Sequence, residues 1–249
     1  MKKILTTAIL CAGLVGFTAC DSFLDEDPKS SLTLDTYYKT SADIIGNVNY
    51  LYRDGAPDKM GNMTGAYRGS SLSVMNMVTG YFVNEYEGQE VDCSYARQLT
   101  RQNFTQSCCN YLTNDTWKGC YKSINVANAV IKYVDGVEMD NQAQYKAEAR
   151  FFRALNYFYL VKMFGDVPMV TEPTEDATLV EYPTRTAASE VFNTVIIPDL
   201  QFAVENLPNA TFAGNSHRVT KYAADMLLAD VYMRLGEYAN AVTPLKDVI

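Results

Sequence analysis

One stretch, Tyr145 to Val170, constrains the fold of this chain more than any other. Its first twenty residues contain neither glycine nor proline, and apolar side chains recur with helical spacing at Phe151, Leu155, Phe158 and Met163. A helix that is apolar on nearly all sides must be covered by neighbours on several sides. The sequence therefore predicts an all-α domain built around this central helix.

Both ends of the central helix carry boundary signals. Asn141 is a predicted N-cap, and Gln144 three residues later makes a variant of the capping box. Gly165 can adopt the left-handed conformation that ends a helix, and Pro168 prevents continuation. These residues predict a helix from about Asn141 to Phe164.

The segments before the central helix alternate between helix and loop. A helix is predicted over 35–53, with one side formed by Tyr38, Ala42, Ile45, Val48, Asn49 and Tyr52. Loops are predicted over 54–69 and 84–110, and a second helix over 70–83. A third helix is expected from Trp117 to Ile131, capped by Asn114 or Thr116.

The segments after the central helix end in a repeat signal. A helix starting at Thr186 is predicted to bend at Pro198. Residues 220–249 fit two antiparallel helices of a tetratricopeptide repeat with a tight turn at Gly236. Ala229 and Ala241 would let these helices approach closely, and the space between them is assigned to Tyr232 and Tyr238.

The amino terminus resembles a secretion signal. Lys2 and Lys3 precede an apolar segment that is too short to span a bilayer, and Phe17-Thr18-Ala19-Cys20 resembles a bacterial lipobox. We expect a signal peptide over 1–19, lipidation of Cys20, a lipid tether over 20–34 and the helical domain over 35–249. An ordinary secretory cleavage site is the alternative.

Composition and motifs argue against several classes of function. A net charge of −8 disfavours nucleic acid as a partner. The only histidine, His217, lies in a polar segment and is predicted to be a surface residue. Because no motif for a nucleophile elbow, a phosphate loop or a metal site is present, we expect neither an enzyme nor a cofactor or metal.

The cysteines beyond the amino terminus leave two alternatives open. Their spacing does not support zinc binding, and the residues concerned are Cys93, Cys108, Cys109 and Cys120. Cys93 could form a disulfide with Cys108 or Cys109, or the thiols could be free and buried.

Three motifs resemble one known family. These are EAR-FFRA-NYF-L-FGDVP over 148–168, C-x-x-F-L-D-x-x-P over 20–28 and W-K-x-x-Y-x-x-I-N-x-A-N over 117–128. The pattern is similar to the SusD/RagB family of nutrient-binding outer-membrane lipoproteins of Bacteroidetes. The resemblance implies tetratricopeptide-like helical repeats with long loops, and an outer-membrane protein that faces the exterior. Because members of that family usually run about twice as long, we expect the chain to be an N-terminal portion.

The resemblance also implies a function and a site. It implies capture of an oligosaccharide and delivery to a SusC-type TonB-dependent transporter, with the ligand surface built partly from loops in the region 67–95. Binding a sugar needs flat aromatic faces and planar hydrogen-bonding groups. The candidate ligand-binding residues are Tyr67, Arg68, Tyr81, Phe82, Asn84 and Tyr86. Packing in the core or loops is the alternative for each residue, and a tetratricopeptide scaffold that binds protein without glycan is the alternative function.

Overall fold

A computed structural model describes residues 34–53, 79–81, 98, 100–103, 106–175 and 183–249, with only the backbone at 35, 53 and 106–115. Within these ranges every regular element is helical, and the only β pairing is an isolated antiparallel bridge between Val167 and Thr186. The all-α prediction is therefore confirmed. No helix in the described part of the chain is long and apolar enough to cross a membrane.

The chain divides into two compact units, Met1–Tyr37 and Tyr38–Ile249. The described part of the first unit is one short helix, α1 (Leu34–Tyr37). The second unit contains α2 (Ser41–Arg53), α3 (Gln106–Tyr133), α4 (Gln142–Phe164), α5 (Ala188–Val191), α6 (Ile197–Asn206), α7 (Lys221–Leu235) and α8 (Tyr238–Val248). A π-helical segment, Phe192–Ile196, joins α5 to α6, and 3-10 turns lie at Val134–Gly136 and Ala213–Asn215.

The central helix of the second unit is α4, which contacts α2, α3, α6 and α7. Tyr157, Phe158 and Leu160 are fully buried, as expected for a helix surrounded by neighbours. Gly165 has φ +69° and donates its N–H to the Val161 carbonyl at 3.1 Å, which ends the helix where predicted.

The predicted capping box of α4 is wrong. Asn141 does occupy the N-cap position, but its φ is +56° and its side chain caps no backbone N–H. The Gln144 side chain instead donates to Oε1 of Glu148 at 3.0 Å. A buried carboxylate one turn along the helix is a stronger acceptor than the N-cap could offer.

The predicted helix over 35–53 is broken before Ser41. Thr40 caps α2: its Oγ1 accepts the Asp43 N–H at 3.4 Å, and Asp43 Oδ2 accepts the Thr40 N–H at 2.8 Å in return. The predicted apolar side is also wrong at Ala42 and Asn49, which are exposed. The buried face is formed by Ile44, Val48 and Leu51, whose spacing places three strongly apolar side chains on one stripe.

Two loop and helix boundaries before α4 differ from the prediction. The helix α3 starts at Gln106, so Asn114 and Thr116 lie inside it rather than at its N-terminus, and the predicted loop over 84–110 is wrong at this end. No glycine or proline separates Gln106 from Trp117, and polar residues lower helix stability only by tenths of a kcal/mol each. Residues 79–81 form a turn at Gly80, φ +78°, so the predicted helix over 70–83 does not continue through them. Apart from this turn, residues 54–97 lie outside the described ranges.

Pro198 interrupts the helix that follows the central one, as predicted. Proline has no N–H to donate, and its ring would clash with the carbonyl four residues earlier in a regular α-helix. The chain accommodates it with the wider π-helical turn at Phe192–Ile196, and Pro198 then lies in the first turn of α6.

The helices α7 and α8 form the predicted hairpin. Gly236 has φ +76° and donates to the Met233 carbonyl, while the Glu237 N–H reaches the Tyr232 carbonyl at 2.8 Å, which is a Schellman motif. Ala229 and Ala241 are buried between the helices as expected. Tyr238 is 69% exposed, so its predicted place between the helices is wrong.

Candidate functional site

Tyr81 is the candidate ligand residue that lies within the described ranges. Its side chain is 89% exposed, more than any other described tyrosine, phenylalanine or tryptophan. The turn at Gly80 presents it, and the Tyr81 N–H approaches Oγ1 of Thr79 at 3.3 Å. Tyr67, Arg68, Phe82, Asn84 and Tyr86 lie outside the described residues, as does Cys20.

An exposed tyrosine ring offers chemistry suited to sugar contacts. Its flat apolar face can stack on the C–H surface of a pyranose, and its hydroxyl can hydrogen-bond at the edge. Tyr81 buries little surface in the fold, so its side chain is available to a ligand.

The histidine and the buried carboxylates of the described residues make contacts within the fold. His217 is exposed, as predicted, and its ring meets the edge of Phe212 with centroids 5.2 Å apart. The buried carboxylates Glu148 and Asp199 are both paired with arginines, and the buried Asp225 lies 3.3 Å from Nζ of Lys221. No group of three potential metal ligands occurs in the part of the chain that the structure describes.

The ion pair between Arg153 and Asp199 joins α4 to α6. Arg153 donates to both oxygens of Asp199, at 2.7 and 2.9 Å, and to Oδ1 of Asn128 at 2.9 Å. Asn128 in turn donates to the Val170 carbonyl at 3.0 Å and so holds the segment after α4. A charged group inside a helical core needs such partners, because an unpaired buried charge is strongly unfavourable.

The Arg218–Glu148 pair joins three segments, namely α2, α4 and the segment before α7. Arg218 donates through Nε to Glu148 at 3.0 Å and through Nη1 to Asn49 at 2.8 Å. The Tyr52 hydroxyl donates to Glu148 at 3.0 Å and accepts the Val219 N–H at 2.9 Å. Burial raises the pKa of Tyr52, which keeps the phenol neutral and able to donate.

A surface cleft lies beside the Arg218–Glu148 pair. It has a volume of about 710 Å³ and is lined by Ser41 and Ile45 of α2, residues 138–141 and Tyr145 of α4. The Arg218 guanidinium lies over the Tyr145 ring, 5.3 Å from the ring centroid. Sequence reasoning missed both the cleft and the pair, although Glu148 and Arg153 within an apolar helix signal that buried partners exist.

Comparisons with known proteins identify the family. A family model described as "Starch-binding associating with outer membrane", SusD-like, matches residues 22–233. SusD-like protein P2 of Formosa agariphila is 29% identical over 252 residues, covering 100% of this chain and 46% of that protein. A SusD-like protein of Bacteroides ovatus is 29% identical over 248 residues, covering 96% of this chain and 40% of the relative. The chain thus spans less than half the length of these relatives.

Solved structures show the same fold. A laminarin-binding SusD-like protein superposes with a TM-score of 0.68 at 24% identity, covering 85% of this chain and 44% of that one. A SusD superfamily protein of Parabacteroides distasonis gives a TM-score of 0.65 at 24% identity, covering 82% and 44% of the two chains. With the family model matching most of its length, this chain belongs to the SusD-like family.

Proposed function

We propose that this protein is a cell-surface glycan-binding lipoprotein, which captures oligosaccharides and passes them to a SusC-type TonB-dependent transporter. The observation that carries the proposal is the match of residues 22–233 to a family described as starch-binding and associated with the outer membrane. The likeness in fold to a protein that binds laminarin is consistent with a glucan or a related glycan as ligand.

The proposed mechanism is binding without chemical change. Tyr81 would supply a stacking face, and Arg68 and Asn84 would supply hydrogen bonds to sugar hydroxyls, together with Tyr67, Phe82 and Tyr86. Such a surface needs no cofactor and no metal.

A lipid on Cys20 would hold this surface at the outer membrane. More than one acyl chain makes anchoring stable, because each buried methylene contributes about 0.8 kcal/mol. Tethering next to a transporter raises the effective concentration of captured glycan without adding any contact.

Calorimetry on the chain carrying Cys20→Ala, against a panel of α- and β-linked glucan oligosaccharides, tests ligand binding. We expect at least one member of the panel to bind, and Tyr81→Ala and Arg68→Ala to weaken its affinity about tenfold or more. Tyr238→Ala removes another exposed tyrosine and is the matched control, expected to change nothing. Absence of binding across neutral glycans contradicts the proposal.

A protein-binding scaffold is the second candidate. The described α7–α8 hairpin exposes apolar side chains, namely Met226, Met233, Tyr238 and Val242. Exposed apolar side chains of this kind suit a protein partner. Co-purification with the transporter separates the two candidate functions. If Met233→Ser loses the complex but still binds glycan, the hairpin contacts the transporter and the glycan-binding function stands. If Met233→Ser loses the complex and no variant binds glycan, the scaffold function is favoured.

A further inference from the structure

We infer that the cleft between α2 and the start of α4 is a second ligand site, one that takes a neutral, hydroxyl-rich molecule such as a short oligosaccharide. The ligand class rests on the proposed function, but the site is separate from the Tyr81 region. Tyr81, the candidate residue of that region within the described ranges, is not among the described lining residues of the cleft.

The size and lining of the cleft suit a small ligand. A volume of about 710 Å³ falls within the range of roughly 300–1,000 Å³ typical of small-molecule sites. Its lining combines the Tyr145 ring and the apolar side chains of Ile45 and Met139 with polar groups. Each of the described lining residues is at least partly exposed, so a ligand can reach them.

The walls of the cleft are held in place before any ligand arrives. Arg218 lies over the Tyr145 ring and is itself fixed by Glu148. Next to the lining residues 138–141, the Gln142 side chain donates to the carbonyls of Val134 and Val137 at 2.8 and 3.0 Å. A site whose side chains are already ordered loses less conformational entropy when it binds.

The polar lining selects for a ligand that both donates and accepts hydrogen bonds. Glu138 and Asp140 offer carboxylate acceptors, and Ser41 and Asn141 can donate as well as accept. The start of α4 adds donors, because no side chain caps its first backbone N–H groups. A sugar hydroxyl matches both kinds of partner at once.

Electrostatics disfavours an anionic ligand. Glu138 and Asp140 would repel an anion more strongly than one helix terminus could attract it. The same two carboxylates would attract a cation, and only the Arg218 guanidinium over the Tyr145 ring and the positive end of the α4 dipole oppose it, so a cation is left to the titration below. A metal ion is further disfavoured because no group of three potential ligands occurs in the described residues.

The test compares two pairs of carboxylate substitutions by calorimetry with neutral oligosaccharides. The pair Glu138→Ala with Asp140→Ala removes the acceptors of the cleft. The pair Glu205→Ala with Asp230→Ala removes two exposed carboxylates from α6 and α7 and is the control, since it changes the net charge equally. All four side chains are exposed, so each variant is expected to fold.

We expect two sugar molecules bound per chain, the cleft variant to lose one of them or weaken it about tenfold, and the control to keep both. Tyr81→Ala should remove the other molecule. Loss of all binding in Tyr81→Ala, with no effect of the cleft variant, overturns this inference and leaves the proposed function standing. Loss of all binding in the cleft variant alone supports the cleft and removes Tyr81 from the site.

Titration with choline covers the remaining ligand class. Binding of choline that the cleft variant abolishes, without any sugar binding there, overturns the assignment to a neutral ligand. Absence of binding for every sugar and for choline overturns both the inference and the proposed function.

Discussion

Arg218 and Glu148 form a hydrogen-bonded ion pair although they are 70 residues apart in the chain. The Nε of Arg218 donates to Oε1 of Glu148 at 3.0 Å, and its Nη2 donates to Oε2. Glu148 is fully buried, whereas Arg218 keeps part of its side chain in solvent. The pair therefore fixes the segment before α7 against α4 and the end of α2.

Removing one member of this pair is expected to destabilise the fold strongly. Arg218→Ala leaves the Glu148 carboxylate buried without its counter-charge, which costs about 3–5 kcal/mol of unfolding free energy. Urea denaturation measures the loss. Lys132→Ala, which breaks an exposed pair with Glu175, is the control and should cost less than about 1 kcal/mol. Equal losses of stability in the two variants would show that the burial of Glu148 does not determine how much its ion pair contributes to the unfolding free energy.

Tyr157→Phe tests the contact that holds the segment after α4. The Tyr157 hydroxyl donates to the Val170 carbonyl at 2.8 Å and accepts the Val170 N–H at 2.7 Å. Removing the hydroxyl leaves both backbone groups without this partner and should cost about 1–3 kcal/mol by urea denaturation. Tyr81→Phe removes a hydroxyl from an exposed ring and should change stability by less than about 0.5 kcal/mol. A neutral Tyr157→Phe would contradict the structural role of this contact.

Two glycine substitutions should shift stability in opposite directions. An added Cβ meets no atom within 4 Å at either Gly46 or Gly236, so only backbone conformation differs. Gly46 lies inside α2, and Gly46→Ala should stabilise by about 0.5–1 kcal/mol. Gly236 has φ +76°, and Gly236→Ala should destabilise by about 1–2 kcal/mol. Thermal unfolding of both variants measures the signs, and the same sign in both would contradict the left-handed turn at Gly236.

Stability should fall at alkaline pH through Cys120. Burial raises the pKa of this thiol from 9.0 to about 12. Between these values the unfolded chain has released the proton while the folded chain retains it, so stability decreases as pH rises, by up to about 1.4 kcal/mol per pH unit. Cys120→Ala should flatten this decline between about pH 9 and 10, measured by urea denaturation at each pH.

Tyr157 provides the control for that pH dependence. Burial raises its pKa from 10.0 to about 12, so its contribution to the decline begins about one pH unit higher than that of Cys120. Tyr157→Phe should therefore leave the slope between pH 9 and 10 unchanged and flatten it only above pH 10. A wild-type stability that is level from pH 8 to pH 10.5 would contradict the burial of the Cys120 thiol.

Lipidation at Cys20 predicts a labelling pattern. Cys20→Ala should abolish incorporation of radiolabelled palmitate and release the protein from the membrane fraction, because the acyl chains supply the anchoring energy. Cys11→Ala changes a cysteine within the proposed signal peptide and should leave labelling intact. Palmitate incorporation that persists in Cys20→Ala, or processing that is insensitive to globomycin, would contradict the proposed anchor.

The two candidate sites differ in how much of each could be predicted from the sequence. Tyr81 could be proposed from its aromatic neighbourhood, and the structure places it at the surface, but its contact with a ligand stays a prediction. The cleft could not be predicted from the sequence, because its two walls are far apart in the chain. Ser41 and Ile45 come from α2, and the other wall comes from a segment almost a hundred residues later, which contributes Glu138, Asp140 and Tyr145. No local pattern encodes which distant segments meet.

Local chemistry determined the helical class, the end of α4 at Gly165 and the hairpin turn at Gly236, because backbone conformation and hydrophobic spacing act over a few residues. Tertiary packing decided the buried face of α2 and the exposure of Tyr238. It also decided the partners of Glu148 and Arg153, since a buried charge takes whichever opposite charge the fold brings within reach.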